Sequence, residues 1–138
     1  MYIVGTVEQF KSIADSKKSP TKKIEEICKI SLDLHNQLGD SVLIISELWA
    51  QHSRGLLHGH STTIFREMYY DYYELIESIL KEGVAKNEFR QMSISGVTTM
   101  LLSMIDGIIW QGVIFRENKD FNKRKNEAIK AFMNGIRL

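Results

Sequence analysis

Apolar residues recur every three or four positions through most of this chain, and breakers cut that rhythm into discrete stretches. A first helix is predicted from about Val4 to Ser16, loosening through "DSKKS". Ser19-Pro20 restarts the chain, because serine suits an N-cap and proline is at home in the first helical turn. Ile24, Ile27, Cys28, Leu34 and Leu38 then mark one face, with Ser31 in the same row. Lys22, Lys23, Glu25, Glu26, Lys29 and Asp33 fall mostly off it, and Gly39 closes the helix.

Asp40 or Ser41 opens a third helix, to about Arg54, with Ile45, Leu48, Trp49 and His52 on one side. "GLLHGH" (55–60) breaks the pattern, and Ser61 starts a long helix to about Lys86. Its apolar row is Phe65, Met68, Tyr69, Tyr72, Leu75, Ile76, Ile79 and Gly83. "KNEFRQM" reads as a turn, Ser93 caps a fifth helix, and "ENKD" (117–120) ends it. A last helix is predicted from about Phe121 to Leu138. No stretch alternates with period two for long enough to make a strand. The expected fold is an all-α antiparallel bundle of five to six helices.

The fifth helix, "GVTTMLLSMIDGIIWQGVIF" (96–115), carries one charge in twenty positions. That length can span a bilayer, but a central aspartate costs about 2.5–3.5 kcal/mol there, and no aromatic or basic belt flanks it. Burial between neighbours on nearly all sides is the better reading. At helical spacing three stripes emerge. Met100, Met104, Gly107, Ile108 and Gln111 form one; Thr98, Leu101, Leu102, Ile105, Ile109, Gly112 and Val113 form a second, broader one. Thr99, Ser103, Asp106 and Trp110 make a half-polar third. The last helix has a core row of Ile129, Phe132, Met133 and Ile136, beside small residues at Ala128, Ala131 and Gly135. The expectation is a homodimer in which the last two helices of each copy form a four-helix contact through the broad stripe, Ala128, Ala131, Phe132 and Gly135. Asp106 needs a hydrogen-bond donor, and the Trp110 indole or an arginine from elsewhere is expected to supply it. A register-fixing polar group is favoured over a ligand contact.

Composition adds bounds. With 138 residues, 43% apolar and 25% charged, the chain is large enough for one domain with a real core. Eighteen basic against seventeen acidic residues leave a net charge of +1, no footprint for nucleic acid or an anionic membrane. The single cysteine, Cys28, cannot form an internal disulfide, and the start "MYIVGTVEQF" lacks the marks of a signal peptide; a cytoplasmic location is expected. Enzyme chemistry has no foothold: there is no Glu-x-x-His pair, phosphate loop or nucleophile elbow. His58-Gly59-His60 reads as a linker rather than a metal site, so no metal or cofactor is expected. The lysine pairs at 17–18 and 22–23, and "KRK" at 123–125, read as solvated clusters.

"LLSMIDGIIWQGVIF", a charged loop and "NEAIKAFMNGIRL" resemble the last two helices of TetR-type (tetracycline-repressor-like) transcriptional regulators, particularly the AcrR-like group. "ELIESILKEGVAKNEFR" (74–90), with Gly83, Glu88, Phe89 and Arg90, resembles the long helix before them, and "ISELWAQHSR" (45–54) the family's short middle helix. The resemblance implies a C-terminal body that binds a small effector and dimerises, served by an N-terminal helix-turn-helix head that binds an operator. Nothing before Ser19 holds three helices. Residues 1–18 are therefore expected to be a connecting helix toward a missing head, and 19–138 the effector-binding and dimerisation domain. Operator DNA would be a partner only through that head. The resemblance places the effector cavity among the second to fifth helices. Trp49, Phe65, Tyr69 and Tyr72 offer aromatic walls; Met68, Met100 and Met104 adaptable ones; His35, His52 and Gln111 polar contacts. The same spacing also serves plain core. Such a lining favours an apolar or aromatic effector of a regulator, expected to be a repressor. The alternative is a helical protein-interaction module without a small-molecule ligand.

Overall fold

The computed structural model describes residues 2–56, 61–116 and 118–138. Seven helices occur among them: α1 (Tyr2–Asp15), α2 (Pro20–Leu32), α3 (Leu34–Leu38), α4 (Ser41–Ser53), α5 (Ser61–Ala85), α6 (Ile94–Phe115) and α7 (Lys119–Ile136). The N-caps behave as their residue types require. The Ser19 side chain accepts from the Lys22 amide at 3.2 Å, and that of Ser93 from the Gly96 amide at 3.2 Å. Asn118 does the same for the Phe121 amide, also at 3.2 Å, so α7 begins two residues before its predicted start. The predicted helix from Ser19 to Gly39 is two helices. It stops at Asp33, whose carbonyl accepts from the Asn36 and Gln37 amides and restarts the chain as α3. That break turns Leu34 and Leu38 toward α6, which α3 contacts.

The core gathers around the second half of α5. Ile76, Ile79 and Leu80 pack with Ile24, Ile27 and Cys28 of α2 and Leu101 of α6, all at most 1% exposed. Burial, and next the Glu25 carboxylate, push the Cys28 thiol up to about 12, so it packs as a small hydrophobe. The α5–α6 turn is clamped to the end of α7: the Arg90 amide donates to the Ile136 carbonyl (2.9 Å) and the Leu138 amide to the Glu88 carbonyl (3.1 Å). Glu88 Oε2 also accepts from the backbone amide and hydroxyl of Thr21, each at 3.0 Å, tying the same turn to the start of α2. Within that turn the Phe89 ring lies against Gly83, where an added Cβ would stand 2.0 Å from Phe89 Cδ2. Gly83 is the gap that admits the ring.

Several expectations are corrected here. Lys23, read as solvated, is buried; its ammonium donates to the Ala14 carbonyl (2.8 Å) and to Glu82 Oε2 (3.0 Å). Lys125 of "KRK" is likewise buried, with its ammonium 3.7 Å from Asp33 Oδ1 and 5.5 Å from the centre of the Phe121 ring. Long cationic stems cover apolar surface when the head finds oxygen ligands. The larger correction concerns α6. Thr98, Leu101, Leu102, Ile105 and Gly112, all expected at a dimer contact, are buried inside their own chain. All-round apolarity marked burial correctly but not which side the chain itself covers: α2, α3, α5 and α7 all pack on α6. The face left outside runs through Met100, Trp110 and Ile114, at 65%, 41% and 72% exposed. On α7, Ala131 and Gly135 are exposed, while Ala128 and Phe132, like Ile109 and Val113 of α6, are partly covered. By length and composition α6 could cross a membrane, but one third of that stretch lies buried in this bundle.

Candidate functional site

The other half of the molecule is looser. α4 buries a single residue, Val42, and leaves Leu43, Ile44, Leu48 and Trp49 substantially exposed. Between α4 and the rest of the bundle lies a cavity of about 300 Å³. α3 and α4 give it Leu34, Leu38, Val42, Ile45, Ser46 and Trp49; α5 gives Phe65, Met68, Tyr69 and Tyr72. α6 forms the opposite wall with Leu102, Ile105, Asp106, Gly107, Ile109 and Trp110, and Thr6, Phe10 and Ser31 close the end nearest the core. The break at Asp33 builds this space, because a continuous α2 would carry Leu34 and Leu38 onward along its own axis instead of under α4.

One polar couple stands in the apolar wall. The Tyr69 hydroxyl donates to Asp106 Oδ2 at 2.7 Å. Burial holds the Asp106 carboxyl above the usual carboxylate range, and the Tyr69 bond opposes that rise only in part. Burial, then the bond to Asp106, push the Tyr69 phenol up as well. Burial and the nearby Asp106 and Asp71 carboxylates push Tyr72 up to about 12. The Tyr72 ring leans on Phe10 of α1, 5.5 Å between centres. The donor expected from Trp110 or an arginine is thus a tyrosine thirty-seven positions away. A second polar group at the cavity, the Ser31 hydroxyl, is buried and has no hydrogen-bond partner among the described residues.

Of the residues assigned to a ligand site from the sequence, the fold brings together Trp49, Phe65, Met68, Tyr69 and Tyr72 around the cavity. His52 lies beside it, its ring 6.0 Å from that of Phe65, with a buried Nδ1 that has no hydrogen-bond partner among the described residues. Met104 packs against the core, and Met100 and Gln111 are exposed and outside the cavity lining. The His35 side chain and His58-Gly59-His60 lie outside the described residues. Missed by sequence reasoning were Asp106, weighed mainly as a register device, and Ser31, Leu34, Leu38 and Trp110. Ser31, Leu34 and Leu38 have the types and spacing of ordinary core; the turn at Asp33 directs Leu34 and Leu38 inward, while Asp106 and Trp110 reach the cavity from α6. A polar cleft between α2 and α7, lined by Lys29, Asp33, Asn36, Asn122 and Lys125, is occupied by its own contacts: Lys125 donates to the Leu32 carbonyl at 3.4 Å. Among the described residues no cluster of three or more metal-ligating side chains occurs.

Comparison with known proteins agrees with this arrangement. Two solved structures share the fold over 99% of this chain. One, a putative fatty acid metabolism regulator from Clostridium perfringens, superposes with a TM-score of 0.71 at 20% identity, over 73% of its own length. The other, a TetR/AcrR-family transcriptional regulator from Thermobifida fusca YX-ER1, gives 0.65 at 19% identity over 69% of its length. No curated protein matches the chain. A family model described as the tetracyclin repressor-like C-terminal domain matches residues 22–123, and the chain belongs to that family.

Proposed function

We propose that this chain is the ligand-sensing body of a TetR-like transcriptional regulator, with a small, largely apolar effector held between α3, α4, α5 and α6. The observation that carries the reading is the apolar cavity with its Tyr69–Asp106 couple, in a family of regulator C-terminal domains. The rest follows from differential binding: a ligand that fits one spacing of the loosely held α4 against α5 and α6 shifts the population of body conformations. In a full-length regulator α1, which packs on α5, would carry that shift to a DNA-binding head, with residues 1–18 as the connecting segment. Operator binding, the repressor role and a cytoplasmic location belong to this proposal, and no catalytic role does.

Homodimerisation is part of the same reading, through a contact that keeps the expected Ala131 and Gly135 of α7 but not the buried residues of α6. With most of the broad stripe of α6 inside the chain, the available contact is Met100 and Ile114 together with Ala131 and Gly135 of α7. Small residues on α7 admit close helix approach. The competing reading, a helical interaction module without a ligand, draws on the exposed Ile44 and Leu48 of α4.

The deciding experiment fills the cavity. Gly107 lines it, and an added Cβ there meets nothing within 4 Å. A thermal-shift screen of apolar compounds is expected to yield stabilising ligands for the wild type and none for Gly107→Leu, itself folded. Equal shifts in both proteins would remove the cavity from the function.

A further inference from the structure

The charge lining the cavity narrows the ligand class, an inference that rests on the ligand-sensing reading above. Asp106 is the one carboxylate among the described lining side chains, and none of those is basic. None of the ion pairs among the described residues includes it. A neutral phenol at 2.7 Å is its only described side-chain partner, which leaves its charge without a counter-ion in an apolar wall. The aromatic side chains of Trp49, Phe65, Tyr72 and Trp110 line the same space. Rings of this kind attract cations through their quadrupoles, and more strongly where water is thinned. Trp49 and Trp110, 50% and 41% exposed, are the most solvent-exposed of these rings. Ser31 adds a buried hydroxyl oxygen with no partner among the described residues, able to accept from an N–H donor.

We propose that the cavity selects a small lipophilic organic cation, its ammonium paired with Asp106 and its apolar body against Phe65, Met68 and Ile105. An acid of the same skeleton would set a second negative charge beside Asp106, with no basic side chain among the described lining to offset it. A neutral analogue would keep the apolar contacts and leave the carboxylate uncompensated. At about 300 Å³ the cavity sits at the small end of ligand sites, which suits a phenylalkylamine rather than a large multi-ring drug.

Both tryptophans of the chain line the cavity, so intrinsic fluorescence reports occupancy directly. The intact protein is titrated near neutral pH with phenylbutylamine, phenylbutanol and phenylbutanoate, which share one skeleton and differ in charge. The amine is expected to bind at least about tenfold more tightly than the alcohol, a factor equal to ~1.4 kcal/mol, and the acid more weakly than either. Asp106→Asn, which keeps an acceptor for Tyr69, is expected to erase the amine's advantage over the alcohol. Equal binding of amine and alcohol, an amine preference that survives Asp106→Asn, or tightest binding of the acid overturns the cation assignment while the ligand site stands. If none of the three perturbs either tryptophan at millimolar concentration, the ligand-sensing reading falls together with it.

Discussion

The two halves of α5 live in different surroundings. From Leu75 to Gly83 it is the centre of the core, with Ile76, Ile79 and Leu80 at most 1% exposed. From Phe65 to Tyr72 every described residue is at least partly exposed, and its inner side faces the cavity. One helix thus serves as a rigid post at one end and as the wall of an adaptable chamber at the other. The difference comes from the partners. α2 and α6 press the packed end with closely fitted aliphatic side chains, whereas α4 covers the open end with one buried residue. Binding regions are drawn from the less stable parts of a fold, because a ligand can shift only what has two arrangements within reach.

Truncations at the two ends should separate by a wide margin. Leu80→Ala removes a fully buried side chain and is expected to cost about 2–5 kcal/mol in denaturant unfolding. Leu34→Ala and Ile45→Ala, which widen a space already present, should each cost well under half of that. Comparable losses at both ends would contradict the division.

Two glycines give the next contrast, with opposite signs. Gly83→Ala forces its Cβ into the Phe89 ring and should destabilise by about 1–3 kcal/mol, with the α5–α6 turn disturbed. Gly107→Ala meets open space in a helix and should stabilise by roughly 0.5–1 kcal/mol. Thermal melts of the two variants side by side settle both signs.

A smaller effect depends on pH. Folding raises the Asp106 pKa, so its protonated form is the one the fold favours. That contribution is complete below the ordinary carboxylate pKa and is lost as pH rises through the raised folded value. Asp106→Asn, neutral at every pH, should therefore be more stable than wild type near neutrality, with the advantage shrinking on acidification. The opposite sign applies to Glu82, whose pKa is lowered by hydrogen bonds from Lys86 and Lys23. Its contribution is present above the ordinary value and fades as pH falls through the lowered one, so Glu82→Gln should narrow the stability gap between neutral and acid solution. Least of all should change at Lys18–Glu26, an exposed pair at 2.5 Å: Lys18→Ala is expected to cost under about 1 kcal/mol.

Much of the architecture was legible because it depends on local signals. Ser19-Pro20, Gly39 and Ser93 each mark a helix end in the structure within a residue or so of its predicted place, and Gly39 takes a positive φ of 51°. The split at Asp33 was hidden, since the apolar row from Ile24 to Leu38 continues across it unbroken. The chamber was half legible. Trp49, Phe65, Met68, Tyr69 and Tyr72 share faces that meet when α4 folds over α5, whereas the inward turn of Leu34 and the Tyr69–Asp106 bond depend on tertiary placement alone. The direction of α6 was misread for a related reason: a helix apolar on every side does not reveal which neighbours belong to its own chain. Buried Lys23 and Lys125 show the same limit, because a lysine off the apolar face reads as solvated until an oxygen cage is assembled around it.

Amide hydrogen exchange on the free protein and on the protein saturated with its tightest ligand tests the chamber most directly. Free protein should exchange fastest in α3 and α4 and slowest in α5 from Leu75 to Gly83. Ligand should slow α3, α4, the Phe65–Tyr72 stretch of α5 and α6 around Asp106, leaving the packed end as it was. Protection that appears only on the outer surface of α6 and α7, with α4 unchanged, would contradict a ligand seated between these helices.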